Sequence, residues 1–407
     1  MQLGIDQLTD GLAHYAAETR VGVVCHAASV DSRGRHITTY FTDRQPGQLA
    51  ALFGPEHGIT TTAQDMEHVS THADQTTGVP IYSLYGDSPA SLRPTAAMLH
   101  GLDLLVIDLQ DIGTRYYTYI YTMAFCLEAC AAAQIPVVVC DRPNPINGVS
   151  VEGPLVQPGF DSFVGHYPLP VRHGMTIGEL AMHFNKAYHL GAAVTILPLR
   201  DWDRASYWES TGLSWRHPSP NMRSVAAALL YPGMCLLEGT NISEGRGTET
   251  PFELCGAPWI DGEILANKLR HLRLAGIDYT PVQFTPTSRK FAGQQCGGVR
   301  LHVTDRDAFR AYEFGLALLW TLSTLHVATE NPREFGWRTP HGNPPHTGLD
   351  AGPYEFVIDR PAIDLLTGHD TVRQGINRET PWLLLKRAAG PTPPAFLDVR
   401  RAALLYS

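Results

Sequence analysis

A chain of 407 residues that is 44% hydrophobic can bury more apolar surface than one core usually holds, so two domains are expected. A formal net charge of -9 with no Lys/Arg-rich run excludes nucleic acid and an anionic membrane as main partners and favours a neutral or modestly anionic small-molecule ligand. Charged residues make up only 17%, while 37 Gly and 30 Pro commit much of the chain to turns and loops, the segments that commonly carry sites.

The opening residues Met1 to Asp6 show no basic segment followed by an apolar one, and no later segment approaches a membrane span. The cysteines at 25, 126, 130, 140, 235, 255 and 296 form no C-x-x-C pair and several lie in apolar runs, which reads as reduced core thiols in a cytoplasmic protein.

Apolar runs near 20–27, 49–54, 103–108, 135–140, 194–199 and 234–237 read as strands, separated by amphipathic stretches. Leu104 to Ile107 and Val137 to Val139 are continuous rather than alternating, as in strands covered on both faces. The pattern predicts α/β architecture, a doubly wound, mainly parallel sheet over residues 1–250. After the third run, Tyr116, Ile120, Met123, Leu127 and Cys130 fall at spacings of four and three, predicting one apolar helix face. Thr176 and Glu179 have the spacing of a capping box, which gives Glu179 a structural role. From about 251 to 407 the pattern predicts a smaller α+β domain: a strand at Gly298 to Thr304, a helix from Asp307 to about Leu325, and a long turn-rich loop from Gly336 to Gly348.

In an open parallel sheet, ligands bind beyond the carboxyl ends of the strands. Here the second run leads into Gly54-Pro55-Glu56-His57-Gly58, the third ends in Asp108 and continues to Asp111, the fourth leads into Asp141-Arg142-Pro143-Asn144, and the sixth into Glu238. Four strand ends are thus expected to deliver acids to one rim. Any one of these acids can equally be a helix cap or an ion-pair partner, and their convergence is what favours function. Glycosidic cleavage uses a proton donor at the leaving oxygen and commonly a second carboxylate. Glu56 stands out because Pro55, Gly54 and Gly58 suit a tight turn that would fix its carboxyl. His57 can orient Glu56, contact substrate or simply bond local backbone. Arg115, Arg142 and Arg246 can hold a substrate carboxylate, or pair with neighbouring acids. Tyr85, Tyr117 and Tyr119 can stack on a sugar face, or pack. There is no G-x-G-x-x-G after the first strand, no G-x-x-x-x-G-K-[ST], no G-x-S-x-G and no H-E-x-x-H, so nucleotide binding, serine hydrolysis and zincin chemistry lack their signatures.

Taken in order, these blocks resemble the exo-acting β-N-acetylmuramidases of bacterial cell-wall recycling. The resemblance runs through Leu52 to Gly58, Ser83 to Gly86, Asp108 to Tyr119, Asp141 to Pro145, Glu152 to Pro154, Ser219 to Met222 and Ser243 to Thr248, which includes Glu244 and Arg246. It implies a Rossmann-like first domain, a smaller second domain closing the cleft, no cofactor, no metal, and hydrolysis of terminal non-reducing N-acetylmuramic acid from peptidoglycan fragments. It also implies that the glutamate of the Pro-Glu-His-Gly block, Glu56, is catalytic, as general acid. Asp111 is the candidate second group, assisting attack by the substrate's own N-acetyl group. His57, Tyr85, Asp108, Arg115, Tyr117, Asp141, Arg142, Asn144, Glu238, Glu244 and Arg246 are the expected substrate-binding set. His26 stands where the family commonly has asparagine, and Thr60-Thr61 replaces a common Arg-Gly. The alternatives are a metal-dependent hydrolase using His57, Asp108 and Asp111, and a non-catalytic muropeptide-binding protein.

Overall fold

A computed structural model describes residues 1–44, 49–75, 77–325, 335–340 and 353–407. Its larger sheet contains β1 (Val21–Cys25), β2 (Leu49–Gly54), β3 (His72–Ala73), β4 (Pro80–Ser83), β5 (Leu104–Asp108), β6 (Val137–Cys140) and β7 (Val194–Leu197), in the order β3-β4-β2-β1-β5-β6-β7. All pairings are parallel except the short edge strand β3, which runs antiparallel to β4. In the central pair Val21 lies opposite Leu104 and Cys25 opposite Asp108.

The continuous apolar runs are explained by two cores, one on each face of this sheet. Val24, Leu105, Ile107, Val137 and Val139 point into the larger, while Val23, Cys25, Val106, Val138 and Cys140 point into the other, where Leu3, Ile5, Leu8 and Phe41 meet them. Successive side chains alternate between faces, so a strand buried on both sides needs apolar residues at every position.

A smaller antiparallel sheet follows in the order β8-β10-β9, from β8 (Leu254–Ala257), β9 (Ile277–Phe284) and β10 (Cys296–Val303). The helices Gly262–His271 and Ala311–Thr324 accompany it. The doubly wound, mainly parallel α/β architecture with a smaller second sheet is therefore as expected. The helix Val225–Met234 crosses Ala311–Thr324 closely: a Cβ on Gly233 would lie 2.2 Å from the Ala311 carbonyl oxygen, so only glycine permits this approach. The last residues return to the first lobe, where Tyr406 Oη donates to Asp141 Oδ2 (2.5 Å) and the Leu405 N–H to Glu179 Oε1 (2.8 Å).

Several local expectations change. Residues 234–237 form no strand: the helix Val225–Met234 runs directly into a 3-10 turn, Cys235–Gly239, with the Ser224 hydroxyl capping its start at the Ala227 N–H. A short apolar run does not distinguish a buried strand from a buried helix. Glu238 therefore reaches the site from a helical turn, and three strand ends, not four, supply acids. Tyr116 precedes its helix, Tyr119–Ala133, whose first nine residues are all buried, so the expected single stripe is a helix sunk in the core. The helix expected from Asp307 begins at Ala311. The Thr176–Glu179 capping box forms in both directions. Of the loop expected at Gly336 to Gly348, residues 341–348 lie outside the described residues.

Candidate active site

Because β1, β2, β5 and β6 are parallel, the segments after them share one edge of the sheet. The turn after β2 closes with the Gly58 N–H on the Pro55 carbonyl (2.9 Å), and His57 and Gly58 both take positive φ (69° and 74°). This aims Glu56 inward, where it is 4% exposed. Its Oε2 accepts from Thr118 Oγ1 (2.7 Å), at the start of the helix Tyr119–Ala133, and its Oε1 accepts from the Met66 N–H (3.2 Å). His57 turns Nδ1 to the Ala63 carbonyl (2.8 Å).

Glu56, His57, Tyr117, Glu238, Arg246 and Glu355 line a cavity of about 40 Å³ between the lobes. That volume holds water rather than sugar, for which pockets of roughly 300 Å³ or more are usual. Glu355 comes from the second lobe, and its Oε2 accepts from Tyr85 Oη (3.1 Å). Burial first, and then the charge of Glu56, push the Glu355 carboxyl well above the usual range.

One wall of the cavity is a buried charge network. Arg246 Nη1 reaches Glu238 Oε1 (3.0 Å) and Glu244 Oε1 (2.9 Å), and its Nε lies 3.5 Å from Asp65 Oδ1. Lys290 Nζ donates to Glu244 Oε2 and to the carbonyls of Leu237 and Ile242. Burial opposes ionisation of Glu244, but Lys290 and Arg246 outweigh it and hold the carboxyl down at about 2. Burial raises the Glu238 carboxyl despite Arg246, and Tyr354 Oη donates to its Oε2 (2.7 Å).

The other expected residues make most of their hydrogen bonds to the fold itself, while Asp111 Oδ1 and Arg115 Nε are buried without a partner. Asp108 accepts two hydrogen bonds from Arg142, from Nε to Oδ1 (2.5 Å) and from Nη2 to Oδ2 (2.7 Å), and Arg142 also donates to the Val30 carbonyl. Asp141 accepts from Thr176 Oγ1, the Gly178 N–H and Tyr406 Oη. Asn144 bridges the Met175 carbonyl and the Ile146 N–H. Asp111 Oδ2 accepts from the Gly113 N–H (2.7 Å) and lies 3.1 Å from His173 Nε2. Arg115 donates to the carbonyls of Pro154, Leu169 and Leu366. His57, Asp108 and Asp111 are thus turned to separate partners, and among the described residues no group of three or more His, Cys, Asp or Glu side chains converges as a metal site would need. The two positions that depart from the family pattern are neighbours: the Ala27 N–H, next to His26, donates to Thr61 Oγ1 (3.1 Å).

Sequence reasoning did not find Glu355, Tyr354, Asp65 or Thr118. Glu355 sits between two aromatic residues beyond a Gly/Pro-rich stretch, and its flanking aromatics were the one local signal. Asp65 and Thr118 matter only through contacts made in the fold.

Fold and site together define a two-lobed α/β protein with a carboxylate-lined cavity where the lobes meet. Residues 21–226 match the family described as exo-beta-N-acetylmuramidase NamZ, N-terminal, and residues 229–406 match its C-terminal counterpart. The chain belongs to the NamZ exo-β-N-acetylmuramidase family. A relative, the peptidoglycan beta-N-acetylmuramidase NamZ of Bacillus subtilis (strain 168), is 44% identical over 406 residues, covering 100% of this chain and 91% of the relative. Two solved DUF1343 family proteins of Bacteroides fragilis share the fold over 100% of this chain and 99% of theirs, one at TM-score 0.83 and 28% identity, the other at 0.70 and 26%.

Proposed function

We propose that the protein is an exo-β-N-acetylmuramidase that hydrolyses terminal non-reducing N-acetylmuramic acid from peptidoglycan fragments, with Glu56 as an essential carboxylate. The observation that carries the site assignment is the placement of Glu56: buried, fixed through both oxygens, and lining one small cavity with a second carboxyl, Glu355. Full-length similarity to a peptidoglycan β-N-acetylmuramidase supports the substrate class. The test follows release of N-acetylmuramic acid from a muramyl disaccharide. Glu56→Gln is expected to fold and to lose roughly 100- to 10,000-fold in kcat. Near-parental kcat in the folded variant would reject Glu56, and sugar binding without turnover by the parent would favour a non-catalytic binder.

Of the three arginines read from the sequence, Arg246 is the one that lines the cavity, and we assign it the lactyl carboxylate. Arg246→Met should erode discrimination between N-acetylmuramic acid and N-acetylglucosamine. Retained preference would place that recognition elsewhere. Tyr117, Glu238 and His57 are the further proposed contacts, whereas Asp108, Arg142, Asp141, Asn144, Arg115 and Glu244 are proposed to hold the rim in shape. Asp111, tied to Gly113 and near His173, is proposed to position its loop rather than to polarise the N-acetyl group. A division at about residue 250 is proposed because β1 to β7 precede it and β8 to β10 follow it. Among the described residues no helix is long and apolar enough to cross a membrane. A cytoplasmic location is proposed on the seven free, buried cysteines.

A further inference from the structure

Glu56 and Glu355 reach one cavity from different lobes, and their surroundings are unequal. Both oxygens of Glu56 accept hydrogen bonds, from Thr118 Oγ1 (2.7 Å) and the Met66 N–H (3.2 Å). Glu355 accepts from Tyr85 Oη through Oε2, and among the described residues no donor reaches its Oε1. Two neighbouring buried carboxyls do not both ionise readily, so one of them keeps a proton. We infer that Glu355 holds that proton and is the acid that protonates the glycosidic oxygen, with Glu56 as its ionised partner. This rests on the glycosidase reading above and reverses the acid role that the sequence suggests for Glu56.

The groups facing Glu355 agree with this. Glu56, Glu238 and Asp65 are all acidic neighbours that disfavour a further negative charge. Of the cations on this side of the fold, Arg246 is shared among Glu238, Glu244 and Asp65, and Arg338 lies over the Tyr354 ring at 5.1 Å and beside Met66 Sδ at 3.7 Å. His57, also on the cavity, is turned to the Ala63 carbonyl. Burial and the Glu56 charge raise the Glu355 carboxyl, and the Tyr85 hydrogen bond only partly opposes them.

The backbone supplies an independent observation. Glu355 and Phe356 are consecutive non-glycine residues at φ 46° and 66°, in a turn closed by the Val357 N–H on the Tyr354 carbonyl (3.0 Å). Such a conformation is unfavourable for both residues and persists only where the surroundings impose it. Here they do: Tyr354 is hydrogen-bonded to Glu238, and the Phe356 ring packs on Tyr85 at 5.6 Å between centroids. Both flanking side chains are fastened, and the residue between them is directed at the cavity.

In the reaction the Glu355 proton passes to the glycosidic oxygen as the C1–O bond breaks and its electron pair moves to that oxygen. The leaving sugar departs with a free hydroxyl. Water then adds to C1, Glu56 takes its proton, and transfer of that proton to Glu355 restores the pair. The balance is one water consumed and one glycosidic bond replaced by two hydroxyls.

The test compares the parent, Glu355→Gln and Glu56→Gln on two substrates: the N-acetylmuramyl-N-acetylglucosamine disaccharide and dinitrophenyl N-acetylmuramide, whose leaving group departs without protonation. Glu355→Gln is expected to lose roughly 100- to 10,000-fold in kcat on the disaccharide and less than about tenfold on the aryl substrate, with the alkaline limb of the disaccharide pH profile abolished. Glu56→Gln is expected to lose activity on both. Equal losses on both substrates for Glu355→Gln, or the aryl-selective pattern appearing in Glu56→Gln, overturns the assignment. Infrared difference spectra are a readout that needs no turnover: at neutral pH the parent minus Glu355→Gln spectrum should show a carboxylic acid C=O band, over and above what the raised Glu238 and Asp141 carboxyls contribute to both proteins, and the parent minus Glu56→Gln spectrum should lack it; the opposite result overturns the assignment. A parent that cleaves neither substrate refutes the glycosidase reading, while the infrared result still decides which carboxyl holds the proton.

Discussion

Replacing Arg142 with Met separates a structural arginine from a substrate-reading one. Arg142 and Asp108 leave neighbouring parallel strands and meet with side chains 3% and 0% exposed. The guanidinium makes two charge-assisted hydrogen bonds to Asp108, at 2.5 and 2.7 Å, and a third bond to the Val30 carbonyl at 2.9 Å. Arg142→Met leaves a carboxylate buried without its counter-charge, which typically costs about 3–5 kcal/mol. Two hydrogen bonds to charged groups at about 1.5–3 kcal/mol each give about 3–6 kcal/mol, an overlapping range. Against a whole-protein stability of about 5–15 kcal/mol, that is a large fraction. Urea unfolding followed by circular dichroism should show the midpoint falling with the slope unchanged. Adding Asp108→Asn should recover more than half of the loss, because the stranded charge is then gone. A loss below about 1 kcal/mol in the single variant, together with a raised KM for muramyl substrates, would refute this and return Arg142 to the binding set.

Gly233→Ala and Gly315→Ala should each destabilise by about 1–3 kcal/mol, because the new Cβ meets backbone of the facing helix at 2.2 and 2.5 Å; unchanged thermal unfolding would refute the close contact. Glu244, held at about 2, contributes stability above its ordinary value of 4.5 and loses it as pH falls through 2. The shift corresponds to about 3 kcal/mol. The parent's urea midpoint should therefore fall more steeply between pH 6 and 3 than that of Glu244→Gln, and equal slopes would contradict the sign (roughly this window follows from the linkage relation). Arg289 anchors the segment that bonds Glu56, pairing with Asp65 Oδ1 and donating to the Asp65 carbonyl; Arg289→Ala should lower kcat by about threefold to tenfold with little change in KM, a loss of roughly 1 kcal/mol in the transition state, and Arg289→Lys should restore part of it; an unchanged kcat would show that Asp65 needs no such anchor.

The fold was legible where burial is two-sided. The continuous runs of β1, β5 and β6 have few alternatives, whereas β3 has two residues, both exposed, and leaves no periodic trace. The run at 234–237 misled because apolar residues fill a buried helix as densely as a buried strand. In the site, Glu56 was legible because glycine and proline mark its turn. The acids at 108, 111 and 141 were legible as acids but not as partners. Whether Asp108 is free or bound depends on Arg142, and whether Asp141 is free depends on Tyr406 at the far end of the chain. Glu355 was missed for the same reason, since its meaning comes from what the fold sets opposite it.

That dependence on distant partners extends to Glu56 itself. The Met66 N–H that holds its Oε1 belongs to a segment gripped by the second lobe: Arg289 Nη2 donates to the Asp65 carbonyl (2.8 Å) and pairs with Asp65 Oδ1 (3.1 Å), and Arg338 Nη2 lies 3.7 Å from Met66 Sδ. The first lobe supplies Glu56 on a rigid strand end and Thr118 on a buried helix, while the second supplies Glu355 and fastens the backbone donor that completes the Glu56 environment. The unequal hydrogen bonding of the two carboxyls, on which division of acid and base roles depends, is therefore a property of the docked lobes.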